Sequence, residues 1–112
     1  MKIMNYRDVK AEEVTEEGAV GATIRWLIAQ DDGAPNFSMR HFEIAPGGST
    51  PKHQHDWEHE VFILNGEGAV FRMGEDVPIR KGDFVFIPPG EEHQFKNTSD
   101  SDLALICLIP NP

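Results

Sequence analysis

A chain of 112 residues with 39% apolar side chains and ten glycines is long enough for one hydrophobic core and too short for two. Folding should bury roughly 65% of the surface that the unfolded chain exposes. Ten basic against nineteen acidic side chains give a net charge of −9, a field that repels a nucleic-acid duplex, with no basic patch to overcome it. The composition excludes disordered, collagen-like and low-complexity classes. The longest apolar stretch, Leu103 to Pro110, is eight residues, well short of the ~20 that a membrane-spanning helix needs. Met1 to Val14 is too polar and acidic for a signal peptide. The single cysteine, Cys107, cannot form an intramolecular disulfide, so the expected compartment is the cytoplasm.

Residues 1–18 are expected to form a peripheral N-terminal segment, since Asp8 to Gly18 is charged and lacks an apolar stripe. Ala22, Ile24, Trp26 and Ile28 then alternate with other residues, which predicts a strand with those four on one face. Asp31 to Asn36 carries turn chemistry, and Phe37 to Ala45 reads as a second strand closed by Pro46-Gly47-Gly48. Glu60 to Leu64 runs into Asn65-Gly66, a hairpin signal, with Ala69 to Met73 as the returning strand. Val77 to Ile79, Asp83 to Ile87, His93 to Lys96 and Leu103 to Ile109 complete the set. No segment has a helical period with caps. About seven to nine short strands, with turns roughly every eight to ten residues, predict one all-β sandwich or barrel over 1–112.

Chemistry concentrates in four of the five histidines: His53, His55, His59 and His93. Residues two and four apart on a regular strand share a face. His53, His55 and His59 could therefore aim three imidazoles at one point, and imidazole is the commonest side-chain metal ligand.

The spacing Gly47, five residues, His53, one, His55, three, His59, six, Gly66 resembles the first signature of the cupins. The spacing Gly82, five residues, Pro88, one, Gly90, two, His93, three, Asn97 resembles the second, fifteen residues further on. The first signature normally carries a glutamate ligand, for which Glu60 has the four-residue spacing from His55. Counting back from Gly66 selects His59 instead, as does strand parity, so the expected ligand set is His53, His55, His59 and His93. The runs Ala34 to Arg40, Trp57 to Phe62 and Cys107 to Pro110 are similar to the small single-domain cupins with an all-histidine site.

That resemblance implies a small double-stranded β-helix, a jelly-roll barrel of the RmlC-like type. It also implies a bound divalent transition metal, manganese first and iron, nickel, zinc or copper as alternatives, and a homodimer. A second ground for a dimer is that an apolar terminal strand, Leu103 to Ile109, leaves an edge for another chain to cover. Four neutral imidazoles leave the +2 charge of an ion uncompensated, which favours an anionic small-molecule substrate. Such binding should weaken between about pH 7 and 5 as imidazoles protonate. The expected function is a metal-dependent enzyme, a dioxygenase or other oxidoreductase. The alternatives are a metal-dependent binding or sensing module and a metal-free sugar isomerase or epimerase. Around the ligands, Phe95 has the parity of His93 and so the phase to line the cavity. Met39 and Arg40 lie on opposite faces of their strand, so at most one faces inward. Cys107 is expected to be a small buried hydrophobe, with the cavity wall as its alternative place, and His41 an ordinary strand residue.

Overall fold

Alternating apolar residues can be buried only if successive strands pair and turn one face inward, and that is how the chain folds. The computed structural model describes residues 1–112. In chain order it contains β1 (Glu12–Glu13), β2 (Val20–Ile28), β3 (Phe37–Ser49), β4 (His59–Asn65), β5 (Glu67–Arg72), β6 (Glu75–Arg80), β7 (Phe84–Ile87), β8 (Gln94–Lys96) and β9 (Leu103–Pro110). Single 3-10 turns lie at Tyr6–Asp8 and Gln30–Asp32. Every pairing is antiparallel, in the order β6-β5-β8-β3-β9-β4-β7, with β2 also on β3 and β1 on β2. No helix is long and apolar enough to cross a membrane.

The thirteen-residue β3 joins the two halves of this curled sheet. Its body pairs with β2 and β9, and its last residue, Ser49, pairs with Lys96 of β8. The halves enclose one core, built from Ala22, Phe42, Ile44, Val61, Ile63, Val70, Ile79, Ile87, Phe95, Leu103, Leu105 and Cys107. Each fully buried Leu or Ile contributes about 1.5–3 kcal/mol.

Three expectations are corrected here. Asn65-Gly66 does not close a hairpin, because β4 pairs with β7 and β9 whereas β5 pairs with β6 and β8. The glycine is needed for close packing instead: at φ +89° a Cβ on Gly66 would stand 2.5 Å from the Asp102 carbonyl oxygen. The hairpin between β5 and β6 turns on Met73-Gly74, both at positive φ, the conformation that a two-residue hairpin turn requires. Ile28 leaves the face of Ala22, Ile24 and Trp26, because a bulge between Trp26 and Ile28 places Ile28 opposite Met39 on the outer side. Finally, β9 is not an edge, since β3 and β4 pair on either side of it.

The segment before β2 is pinned at several points. Tyr6 stacks on His41, with ring centroids 4.5 Å apart, and the Arg25 side chain donates to the Val9 carbonyl at 3.1 Å. Glu12–Glu13 adds a short strand to β2.

Candidate metal centre and anion pocket

Residues 50–58 are not a regular strand, so His53 and His59 reach one place by a different route from simple parity. His53 forms an isolated bridge with His93: its N–H donates to the His93 carbonyl at 3.1 Å, and its carbonyl accepts the His93 N–H at 2.9 Å. Thr50 fastens the start of the loop, its N–H donating to the Phe95 carbonyl at 2.9 Å. His59 is the first residue of β4 and points inward beside Val61 and Ile63, whereas Glu60 is exposed on the opposite face.

The donor atoms of His53, His59 and His93 lie within 4.8 Å of one another, a grouping that could hold a metal ion. His55 stands beside them, its ring 4.1 Å from that of His53 and 5.3 Å from that of His59, and stacks almost parallel on Trp57 at 4.4 Å. It is not among the three convergent donors.

The donor chemistry fits an ion. The His59 ring is 4% exposed, and its Nε2 is buried without a hydrogen-bond partner. Its other nitrogen, Nδ1, lies 3.4 Å from Cys107 Sγ. His93 Nδ1 lies 3.0 Å from the Glu91 carbonyl oxygen, which as an acceptor fixes the proton on Nδ1 and leaves Nε2 as a lone-pair donor. Burial pushes His59 down to about 3 and His53 down to about 4, with neighbouring imidazoles and Arg40 adding to the shift. Burial lowers His55 and His93 as well. The rings are therefore neutral at physiological pH, and proton competition sets in below the range expected for an ordinary imidazole.

His53, His59 and His93 form one wall of a cavity of about 240 Å³. Ile24, Trp26, Phe42, Phe95 and Leu105 supply its apolar lining, and Glu12, Glu13 and Glu16 lie on its N-terminal side. The Glu16 carboxylate reaches within 3.7 Å of His53 Nδ1. Arg40 also lines the cavity, its guanidinium 5.5 Å from the Trp26 ring centroid and 5.1 Å from that of Phe42. It donates to Cys107 Sγ at 3.0 Å, its Nε is buried and unpartnered, and it forms no ion pair. Burial pushes the Cys107 thiol up, against an opposing pull from Arg40.

Of the pairs left open by the sequence, Arg40 faces inward and Met39 outward, and both Phe95 and Cys107 line the cavity. A signal for Arg40 was available, since it shares parity with Phe42 and Ile44. His41, a residue of β3 outside the cavity lining, is 5% exposed beneath Tyr6; its Nδ1 has no hydrogen-bond partner, and Glu43 is 3.9 Å away. The contacts of Glu16 with His53 and of Trp57 with His55 had no signal in the local pattern.

Comparison with known proteins agrees with this fold. The polyketide cyclase RemF from Streptomyces resistomycificus has a similar structure, with a TM-score of 0.92 and 39% identity, covering 98% of this chain and 79% of that one. A predicted oxalate decarboxylase from Thermotoga maritima superposes with a TM-score of 0.87 at 28% identity, over 99% of this chain and all of the other. In sequence, an oxalate-binding protein of Thermotoga maritima is 41% identical over 68 residues, 60% of this chain and 56% of that protein. A 1-methylthio-D-xylulose 5-phosphate methylsulfurylase of Rhodospirillum rubrum is 32% identical over 71 residues, 63% of this chain and 46% of that protein. The chain thus spans about half the length of these curated relatives. The Cupin domain family matches residues 40–109, the stretch that carries Arg40, all four clustered histidines and Cys107, and the chain belongs to the cupins.

Proposed function

We propose that this cupin is a metal-dependent enzyme acting on a small organic anion. The observation that carries the reading is the meeting, in one cavity, of three convergent neutral imidazoles and an arginine without an ion-pair partner. His53, His59 and His93 would hold a divalent ion, with His55 as the fourth ligand and manganese as the resident metal. Such an ion supplies Lewis acidity toward a carboxylate or enolate oxygen. Arg40 places a fixed positive charge beside that position and retains N–H donors for a carboxylate or enolate. The aromatic side chains on the cavity wall lower the local dielectric and strengthen the attraction. Similarity to an oxalate-binding protein supports an anionic substrate, and similarity to a polyketide cyclase supports an oxygen-rich one.

The reaction we favour is oxidative chemistry of a dioxygenase or related type. A second reading, an anion-binding module without turnover, is favoured by the oxalate-binding relative and by the lack of a buried carboxylate to serve as general base. We also propose that the protein is a homodimer, with the exposed aromatic face of β4 and β7 covered by a second copy.

Elemental analysis of protein purified without chelator tests the metal reading. The expected result is about one equivalent of ion per chain, lost in His59→Ala and kept in Glu60→Ala. Wild-type protein that takes up no ion even on reconstitution would overturn it and favour a metal-free isomerase or a plain binding barrel. Dioxygen uptake with candidate acids then separates turnover from binding.

A further inference from the structure

Cys107 sits where two functions of the cavity meet. Its strand, β9, lies between β3 and β4, with Cys107 opposite Arg40 on one side and Val61 on the other. Its Sγ is 3.0 Å from Arg40 Nη2 and 3.4 Å from His59 Nδ1. The one carbonyl within reach of the thiol is that of Leu108, at 3.9 Å.

A neutral imidazole has one N–H. If Cys107 donated to His59 Nδ1, the ring proton would sit on Nε2, a buried atom with no acceptor. If His59 Nδ1–H donates to the sulfur, Nε2 becomes a lone pair facing the cavity. The second arrangement also suits the cysteine. Arg40 can only donate, so Sγ must accept from it, and the thiol hydrogen is then free to turn toward the Leu108 carbonyl.

We infer that Cys107 is a positioning residue: its sulfur accepts N–H groups from Arg40 and His59 together, holding the His59 imidazole in the tautomer that presents Nε2 to the cavity and tying the anion anchor to a ligand ring. The inference rests on the metal reading for its purpose but not for its first test. Outer partners of ligand histidines commonly change metal affinity 10–100-fold when removed.

The test uses ¹⁵N-histidine-labelled, metal-free protein and long-range imidazole N–H correlations. Wild type and Cys107→Ser should both carry the His59 proton on Nδ1, and Cys107→Ala should move it to Nε2 or to a mixture. In a chelator competition with Mn²⁺, Cys107→Ala should bind about 10–100-fold more weakly than wild type, and Cys107→Ser should recover most of the loss. A wild-type ring protonated on Nε2 would overturn the inference without any variant, so the test survives misfolding of the alanine protein. An unchanged tautomer and Mn²⁺ affinity in Cys107→Ala would overturn it as well. Wild type that holds Nδ1–H but takes up no Mn²⁺ supports the positioning role and defeats the metal reading alone.

Discussion

The guanidinium of Arg40 is a cation held against two aromatic rings with no carboxylate paired to it. Keeping a desolvated charge there is costly unless something anionic completes the site. A charged hydrogen bond of this kind contributes about 1.5–3 kcal/mol, so Arg40→Gln should weaken binding of a carboxylate such as oxalate roughly 10- to 100-fold at saturating metal. Isothermal titration of metal-loaded wild type and variant reads this directly, and equal affinities would remove Arg40 from the site. Lysine should restore only part of the loss, because it offers a point charge in place of a planar fork. At this scale much of the site was legible in the sequence. The histidines were marked by their spacing, and His59 was separated from Glu60 by parity, with the one ring buried and the other side chain exposed on the far face. The contact of Cys107 with His59 was not legible, because it depends on β9 inserting between β3 and β4, a pairing that no local pattern encodes.

The strands themselves were found by alternation and turn residues, but their partners were not. Asn65-Gly66 has the composition of a hairpin turn, yet there the chain passes from one half of the sheet to the other. Sequence-adjacent strands pair often enough to make the error natural, and only the close approach of Asp102 to Gly66 reveals the corner. The same limit undid the edge argument for a dimer, since β9 is central, but the pairing supplies a better one. On the outer face, Phe84, Phe62 and Ile106 stand in one row across β7, β4 and β9, and Phe86, Glu60 and Leu108 in the next. Phe84 is 80% exposed, Phe62 and Phe86 are exposed beside it, and β7 has a partner on one side only. A monomer rarely leaves such an aromatic face to water, and a second copy of the chain would cover it. Sedimentation at micromolar concentration is expected to show a dimer for wild type and a monomer for Phe84→Glu. Since the Phe84 side chain is largely exposed, the charge should not disturb the fold. A wild-type monomer would sink the proposal.

Over the whole molecule the histidines make a common contribution to stability, because His41, His53, His55, His59 and His93 are all lowered from the ordinary imidazole value, with burial the largest cause in each. A folded state that holds these rings neutral opposes protonation, while the unfolded chain takes up protons near 6.5. The unfolded state then binds more protons, so stability rises with pH through that window. In metal-free protein the contribution should be complete above about pH 6.5 and decline as pH falls toward the folded values, about 4 for His53 and about 3 for His59. Asp32, lowered chiefly by its hydrogen bond from Lys2, adds a second loss in the same direction only near and below its ordinary value of 3.8. The alternative global effect has the opposite sign. Protonating histidines brings the net charge of −9 nearer to zero, and relief of self-repulsion alone would stabilise the fold as pH drops from 7 to 5. Urea midpoints of metal-free protein at pH 7.5, 6 and 5 therefore separate the two. A midpoint that falls with acid in this range assigns the loss to buried imidazoles. A midpoint that holds or rises would mean that the rings are solvated in the folded state, and that the cavity opens far more readily than its packing implies.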